Sequence, residues 1–356
     1  MKRLGNVWDQ ITSYDNLEEA YRKAAKGRRW LWIVRHIGRN KERYLTNLQA
    51  QLRSGLYRTN TYRSQIVYEP KVRTIHSLPF YPDRIVHHAI VNILSQYWDS
   101  MFIFDSYACR KNKGQHAGSL RCMKFVRKYN YVLKCDVSKF YHSIPHAELK
   151  SLLRRKLKCK NTLALLDEII DSSRTCTGMA PGCGIPIGNL ISQWLGNLYL
   201  HQLDTLLKQT YHIKGYIRYC DDFVVFSNDK KELHRLAQII ESYLHSKLKL
   251  CLSKCAVFPV SHGVDFLGYR HFRNYILVRK STAKRIRRRM RRIKMRICPA
   301  PRNFRRMMGQ IASALGWLKW ANSYNLRVST EINVLWEWVC GYKDRRKIQR
   351  FRERRV

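Results

Sequence analysis

The stretch Gly215-Tyr216-Ile217-Arg218-Tyr219-Cys220-Asp221-Asp222-Phe223-Val224-Val225-Phe226-Ser227 restricts the possible folds of this chain more than any other. β-Branched and aromatic residues on both sides of two adjacent carboxylates predict two short strands joined by a turn at the acids. Strands this apolar are buried, and acids left at their tip make sense if a cation comes to them. A third acid, Asp136, has the same setting in Tyr131-Val132-Leu133-Lys134-Cys135-Asp136-Val137-Ser138-Lys139-Phe140-Tyr141. Asp136 and Asp221 at the ends of neighbouring strands could hold two divalent ions, as phosphoryl or nucleotidyl transfer to a hydroxyl requires. Asp-rich turns also occur as plain solvated hairpin turns, so the pair alone leaves both readings open.

At 356 residues the chain can bury a large core and form two or three subdomains. Hydrophobic residues make up 45% of it, which excludes a disordered polyelectrolyte, yet 68 Lys and Arg stand against 25 Asp and Glu. A formal charge of +43 repels itself unless a polyanion neutralises it, so nucleic acid is the expected partner. No apolar run approaches the ~18 residues of a membrane span and no lipidation motif occurs, so no membrane partner is expected. The start, Met1-Lys2-Arg3-Leu4-Gly5-Asn6, lacks the apolar core of a signal peptide, and the expected location is inside a cell. The 11 cysteines include no Cys-x-x-Cys pair, so buried free thiols are expected; Cys251 and Cys255 come nearest to a ligand pair.

Residues 9–60 place Leu17, Ala20, Tyr21 and Ala24 at helical spacing. In Arg28-Arg29-Trp30-Leu31-Trp32 the tryptophans are expected in the core, with RNA binding as the alternative. Tyr68 to Pro79 alternates between prolines and reads as an edge hairpin with Lys71 and Arg73 on one side. A helix is predicted over Asp83–Ser100, then a basic loop over 105–117 whose Arg110 and Lys113 could meet a triphosphate at the following helix start. Further helices are predicted at 118–129, 144–156 and 161–172. The Gly- and Pro-rich loop Thr177–Asn189 lets a sugar or another backbone approach closely, and Asn189 or Ser192 starts a long apolar helix. Lys230–Lys247 reads as a helix, Leu248–Lys254 as a strand and Val264–Tyr269 as a strand and turn. From Arg270 onward there are 26 Lys and Arg against 4 Asp and Glu, with the shift near residue 275. The run Arg285–Arg292, with Trp317, Trp320, Trp336 and Trp338 as a core, suits a helical clamp on duplex phosphates through Arg287, Arg288, Arg291 and Arg292.

Taken in order, these blocks resemble the reverse transcriptases over roughly residues 60–340. The resemblance rests on the basic strand at 71–73, the loop at 105–117, Asp136 with Phe140-Tyr141, Gly184–Gln193, Tyr219-Cys220-Asp221-Asp222, Lys254 and Leu267-Gly268. It implies an α+β right-hand polymerase: an N-terminal helical extension (1–60), fingers (61–130), a palm of antiparallel sheet plus helices (131–274) and a basic α-helical thumb with a tail (275–356). It implies that Asp136, Asp221 and Asp222, with the main chain at Val137, hold two Mg2+ ions, and that Lys254 acts beside the leaving phosphate. Lys71, Arg73, Arg110 and Lys113 would lie near the template and the dNTP, Lys71 and Arg73 competing for one role. Tyr141 would be the gate against a ribose 2′-OH, beside the acids but on the opposite strand face, and Phe266-Leu267-Gly268 would grip the primer end.

Many reverse transcriptases have Gln before the glycine corresponding to Gly188 and end that block in Ser-Pro. Here it reads Ile187-Gly188-Asn189-Leu190-Ile191-Ser192-Gln193, which resembles the enzymes of diversity-generating retroelements. That resemblance implies error-prone cDNA synthesis, miscopying template adenines of a repeat-containing RNA, with Ile187 and Gly188 against the nucleotide. It also implies template RNA and the RNA/cDNA duplex as partners, a small basic helical accessory protein, and a cytoplasmic setting in bacteria or archaea or in a phage-encoded system. The alternatives are a group II intron-type maturase, disfavoured by the lack of a His-Asn-His nuclease or cysteine-rich tail, a defence-associated reverse transcriptase, and a palm that binds structured RNA without polymerising.

Overall fold

A computed structural model of the chain describes residues 3–68, 72–296 and 304–353. Two compact units are present: Met1–Gly114 with Leu133–Val225 and Lys231–Ala256, and Gln115–Val132 with Phe226–Lys230 and Val257–Val356.

The first unit opens with helices α1 (Trp8–Thr12), α2 (Tyr14–Ala25), α3 (Trp32–Arg39) and α4 (Lys41–Arg53), in the region where helical spacing predicts them. Ser13 caps α2, its hydroxyl oxygen accepting from the Asn16 N–H at 3.3 Å. The antiparallel pair β1 (Arg63–Val67) and β2 (Arg73–Ser77) follows, running Arg63 against Ser77. The hairpin therefore begins before the stretch expected to form it. Pro70 has no N–H to give a ladder, and pairing moves to the proline-free run ahead of it. Next comes α5 (Ile85–Met101), whose Ile85, Val86, Ala89, Ile90, Leu94 and Trp98 are fully buried.

After α6 (Gln115–Lys128), which belongs to the second unit, the chain forms β3 (Tyr131–Val137), α7 (Phe140–Ser143), α8 (His146–Lys156), α9 (Lys160–Asp171) and α10 (Leu190–Thr205). Buried residues go round most of α10, which is a central core helix rather than a surface one. Asn189 sits at its N-cap position, but its side-chain amide donates to the Tyr62 hydroxyl at 2.8 Å instead of capping. Then come β4 (Tyr216–Tyr219), β5 (Asp222–Ser227), α11 (Lys230–Leu248) and β6 (Leu252–Pro259), giving a sheet of order β4-β5-β3-β6. The strand expected at Leu248–Lys254 starts four residues late. Leu248 extends the buried stripe Leu233, Leu236, Ile240 and Leu244 of α11, so the helical period keeps it.

In the second unit, β7 (Val264–Phe266), β8 (Tyr269–His271) and β9 (Ile276–Val278) form an antiparallel sheet joined to α6. Ser119 and His271 share a hydrogen bond at 2.7 Å, and the Gln115 amide donates to the Leu267 carbonyl at 2.8 Å. Helices α12 (Lys280–Lys294), α13 (Phe304–Leu318), α14 (Tyr324–Thr330) and α15 (Ile332–Glu353) pack around Ile286, Met290, Ile311, Leu318 and Leu335, with Trp317, Trp336 and Trp338 against that core. Trp320 lies outside it, stacked on His116 at 4.6 Å. Helices with antiparallel sheets make the fold α+β, as the sequence predicts. Among the described residues no helix is long and apolar enough to cross a membrane.

Candidate active site

The acid hairpin forms where predicted. β4 and β5 pair with Tyr219 opposite Asp222, leaving Cys220 and Asp221 as the turn, and Cys220 takes φ 53°. Under this hairpin lies an ion pair with no exposure. The Arg218 guanidinium donates to both carboxylate oxygens of Asp204 at 2.7 and 2.5 Å, and Tyr216 adds its hydroxyl to Asp204 at 2.7 Å. Arg218 also donates to the Asn197 side chain at 3.1 Å and to the Cys220 carbonyl at 3.0 Å. The group next to Asp221 is thereby tied to α10.

The sheet order makes β3 the neighbour of both β5 and β6. The thiols of Cys135 on β3 and Cys255 on β6 meet at 3.9 Å, which fixes one face of the sheet. Strand side chains alternate, so Lys134 and Asp136 on β3 and Lys254 on β6 point to the other face. Asp222 borders that face as well, its carboxylate 3.6 Å from the buried Lys134 ammonium. The three acids are partly exposed and Lys254 is exposed.

Among the described residues no three His, Cys, Asp or Glu side chains converge as a ready metal cage. Mg2+ rarely uses one, since it keeps several waters and takes one or two carboxylates plus substrate phosphates. Hard carboxylate oxygens on three partly exposed acids at strand ends suit that ion, although Asp222 Oδ1 is itself buried toward Lys134. Cys251 and Cys255 are both exposed and form no such group.

Tyr141 is not on a strand face. β3 stops at Val137, Lys139 turns the chain with φ 41°, and Tyr141 sits in α7. Its hydroxyl lies 3.9 Å from the Cys220 sulfur, so the ring is still beside the acid turn. Burial, reinforced by the nearby Cys220 and Cys109 thiols, pushes its hydroxyl pKa well up. Ile187 and Gly188 meet β2: the His76 N–H donates to the Ile187 carbonyl at 2.8 Å. Gly188 has φ 121°, and a Cβ there would lie 2.7 Å from the His76 carbonyl oxygen, so only glycine fits. Arg73 opens β2 and is exposed; Lys71 lies outside the described residues.

Arg110, expected near the triphosphate, is turned into its own loop. Its guanidinium pairs with Asp99 at 2.5 Å and donates to the Ile103 and Ser106 carbonyls. Lys113 likewise donates to the Phe104 carbonyl at 2.9 Å and lies over the Phe104 ring. Their loop flanks β4, with the Tyr107 N–H donating to the Arg218 carbonyl at 3.0 Å.

The expected primer-grip residues Phe266, Leu267 and Gly268 belong to the second unit, in the β7–β8 hairpin. Both turn residues have positive φ, 54° and 80°, and a Cβ on Gly268 would lie 2.7 Å from Trp317. Arg287, Arg288, Arg291 and Arg292 are exposed on α12, whose Thr282, Ile286, Met290 and Ile293 form its buried side. Lys284, Arg287, Arg288, Arg291 and Lys294 line an open cleft of about 620 Å³ with Ser329 and Thr330.

Residues 66–271, more than half of the chain, match the reverse transcriptase (RNA-dependent DNA polymerase) family. The chain belongs to that family. This reverse transcriptase is 26% identical over 273 residues to YkfC of Escherichia coli K12, covering 64% of this chain and 70% of that protein. It is 20% identical over 296 residues to the group II intron-encoded protein LtrA of Lactococcus lactis, covering 64% of this chain and 49% of LtrA. It thus spans about half of LtrA. Apo telomerase from Candida tropicalis matches 78% of the chain and 57% of its own, at 11% identity and a TM-score of 0.49.

Two features of the reverse transcriptase site escape sequence reasoning. One is Lys134, which reads as an ordinary strand residue two places before Asp136. The other is the Arg218–Asp204 pair; a charged residue in so apolar a strand signals a buried partner, but nothing in the sequence says which acid it is.

Proposed function

We propose that this reverse transcriptase extends a DNA strand from dNTPs on an RNA template, and that it is of the diversity-generating kind, error-prone opposite adenine. The polymerase reading is carried by one observation, the shared sheet face of Asp136, Asp222, Lys134 and Lys254 beside the Asp221 turn. Asp136, Asp221 and Asp222, with the Val137 carbonyl, are the residues that would hold Mg2+. Once bound, the metal supplies Lewis-acid activation of the primer hydroxyl and offsets triphosphate charge. Lys134 fixes Asp222 and offsets part of the carboxylates' mutual repulsion. Lys254 offers a proton or a positive charge to the leaving pyrophosphate. The Tyr141 ring, held beside the turn, excludes a 2′-OH by shape.

Support for the finer reading comes from Ile187-Gly188-Asn189-Leu190-Ile191-Ser192-Gln193. An apolar Ile187 cannot hold a nascent pair by a hydrogen bond, and the absence of one such bond lowers discrimination by about 1 to 3 kcal/mol. A template-repeat RNA and a small basic helical accessory protein are the partners this reading calls for, in a bacterial, archaeal or phage-encoded cytoplasmic setting. The LtrA match favours a group II intron-type enzyme as the second reading.

Both are tested by primer extension with Mg2+ on a defined RNA, followed by sequencing of the cDNA. Asp221→Asn is expected to lower extension by roughly a thousandfold or more while RNA affinity stays. Extension unchanged in that variant sinks the polymerase assignment. Wild-type cDNA is expected to carry substitutions concentrated opposite template adenine, and a uniform error spectrum favours the intron-type reading.

A further inference from the structure

The tryptophans expected in the core are on the surface: Trp30 is 74% exposed and Trp32 68%. An indole in water forgoes one of the largest burial gains of any side chain, so two neighbouring exposed ones mark a surface with a partner. Both rings are ordered by local contacts. The Trp30 indole N–H donates to the Gly27 carbonyl at 3.2 Å, and the Trp32 ring stacks on His36 with centroids 5.0 Å apart and planes 17° apart. His36 in turn shares a hydrogen bond with the Tyr44 hydroxyl at 3.2 Å.

Helix α3 separates two faces. Val34 and Ile37 are buried, while Trp32, Arg35, His36 and Arg39 recur at spacings of three and four and share the outward face. Between positions 26 and 43 lie seven Lys and Arg (Lys26, Arg28, Arg29, Arg35, Arg39, Lys41, Arg43) and one acid, Glu42. Lys41 is ion-paired with Glu18; the five arginines are exposed. A greasy groove for a protein helix would be rimmed by aliphatic side chains. Here two exposed indoles share a short stretch with five exposed arginines, which fits a polyanion whose own flat rings are free to stack.

We propose that Trp30 and Trp32, with Arg28, Arg29, Arg35 and Arg39, form a platform that binds an unpaired stretch of RNA through base stacking and phosphate contacts. This deepens the RNA-templated reading, and it needs neither a bound metal nor turnover. A duplex is a poor ligand for the platform because its bases are already stacked. The RNA it takes is a single-stranded region of the RNA the enzyme copies.

The test uses the full chain preloaded with a short RNA–DNA duplex, titrated with a labelled single-stranded RNA of about 20 nucleotides. Trp30→Ala with Trp32→Ala is expected to weaken RNA binding about tenfold or more, from stacking worth about 1–3 kcal/mol per base. The salt dependence should stay unchanged. Trp30→Phe with Trp32→Phe should restore most of the affinity. Arg28→Gln with Arg29→Gln should instead flatten the slope of log affinity against log salt by about 0.7 for each phosphate no longer neutralised. Ultraviolet crosslinking followed by mass spectrometry should find RNA on the peptide carrying Trp30 and Trp32. Unchanged affinity in the folded double-Ala variant, with no crosslink there, overturns the proposal. Loss of self-association in that variant with RNA affinity unchanged also overturns it, and assigns the face to a second copy of the chain. Duplex extension retained in the Ala variant separates this result from a failure of the polymerase reading.

Discussion

Arg218 shows how much of the acid hairpin depends on one side chain. It has no solvent exposure, and its five donors are spread over Asp204, Asn197 and the carbonyl just before Asp221. Removing one partner of a buried pair leaves the other charge desolvated, which costs about 3–5 kcal/mol, whereas removing both is often nearly neutral. Arg218→Met is therefore expected to lower the denaturation midpoint sharply, and Arg218→Met with Asp204→Leu to recover a large part of the loss. A single variant as stable as wild type in urea would mean that the network orients the turn without stabilising it. Lys134 has a smaller part, one ammonium held 3.6 Å from Asp222.

Among the elements, α5 and α10 carry histidines whose surroundings make the core sensitive to acid. Burial, then the charges of His88 and Arg84, pushes the His87 pKa down to about 3, and burial first of all takes His201 to about 4. Among the described residues the His87 Nε2 has no hydrogen-bond partner. These folded-state values lie below the ordinary 6.5. As pH falls through 6.5 the unfolded chain takes up protons that the folded chain refuses, so stability present above pH 6.5 is lost on the way down to about pH 3 to 4. Each such histidine contributes a slope of about 1.4 kcal/mol per pH unit in that window. His87→Leu is expected to make the unfolding free energy, measured in urea, fall less steeply between pH 6.5 and 4.5 by that amount. An unaltered pH profile would mean that His87 is hydrated or protonated in the native state.

For the molecule as a whole, the +43 charge favours association with a polyanion. The four arginines of α12 present an exposed side over a helical core, and we propose that this side meets duplex phosphates without reading base identity. Replacing Arg287, Arg288, Arg291 and Arg292 with Gln should weaken duplex binding and flatten log affinity against log salt by about 0.7 to 0.9 per phosphate released. An unchanged slope would make this side of α12 a solvated surface. Loss of folding is not expected, because the core residues Ile286, Met290 and Ile293 are untouched.

Local rules were enough for what is local. Runs of β-branched and aromatic residues around Cys220-Asp221 and before Val137 gave the strands, 3.6-residue stripes gave α2, α5 and α11, and the order of short blocks gave the family. Residue type and helical spacing are properties of neighbouring residues, so they are written in the chain itself. What depends on distant partners was decided only by the tertiary structure. Arg218 finds Asp204, Lys134 finds Asp222, and Arg110 turns to Asp99 and its own loop instead of outward. Leu248 stays helical because a buried stripe already runs to it, and Trp32 stays in water because α3 buries Val34 and Ile37 in its place. In each case the side chain could satisfy its charge or its apolar surface in more than one way. The choice fell to whichever partner the packed core brought within reach.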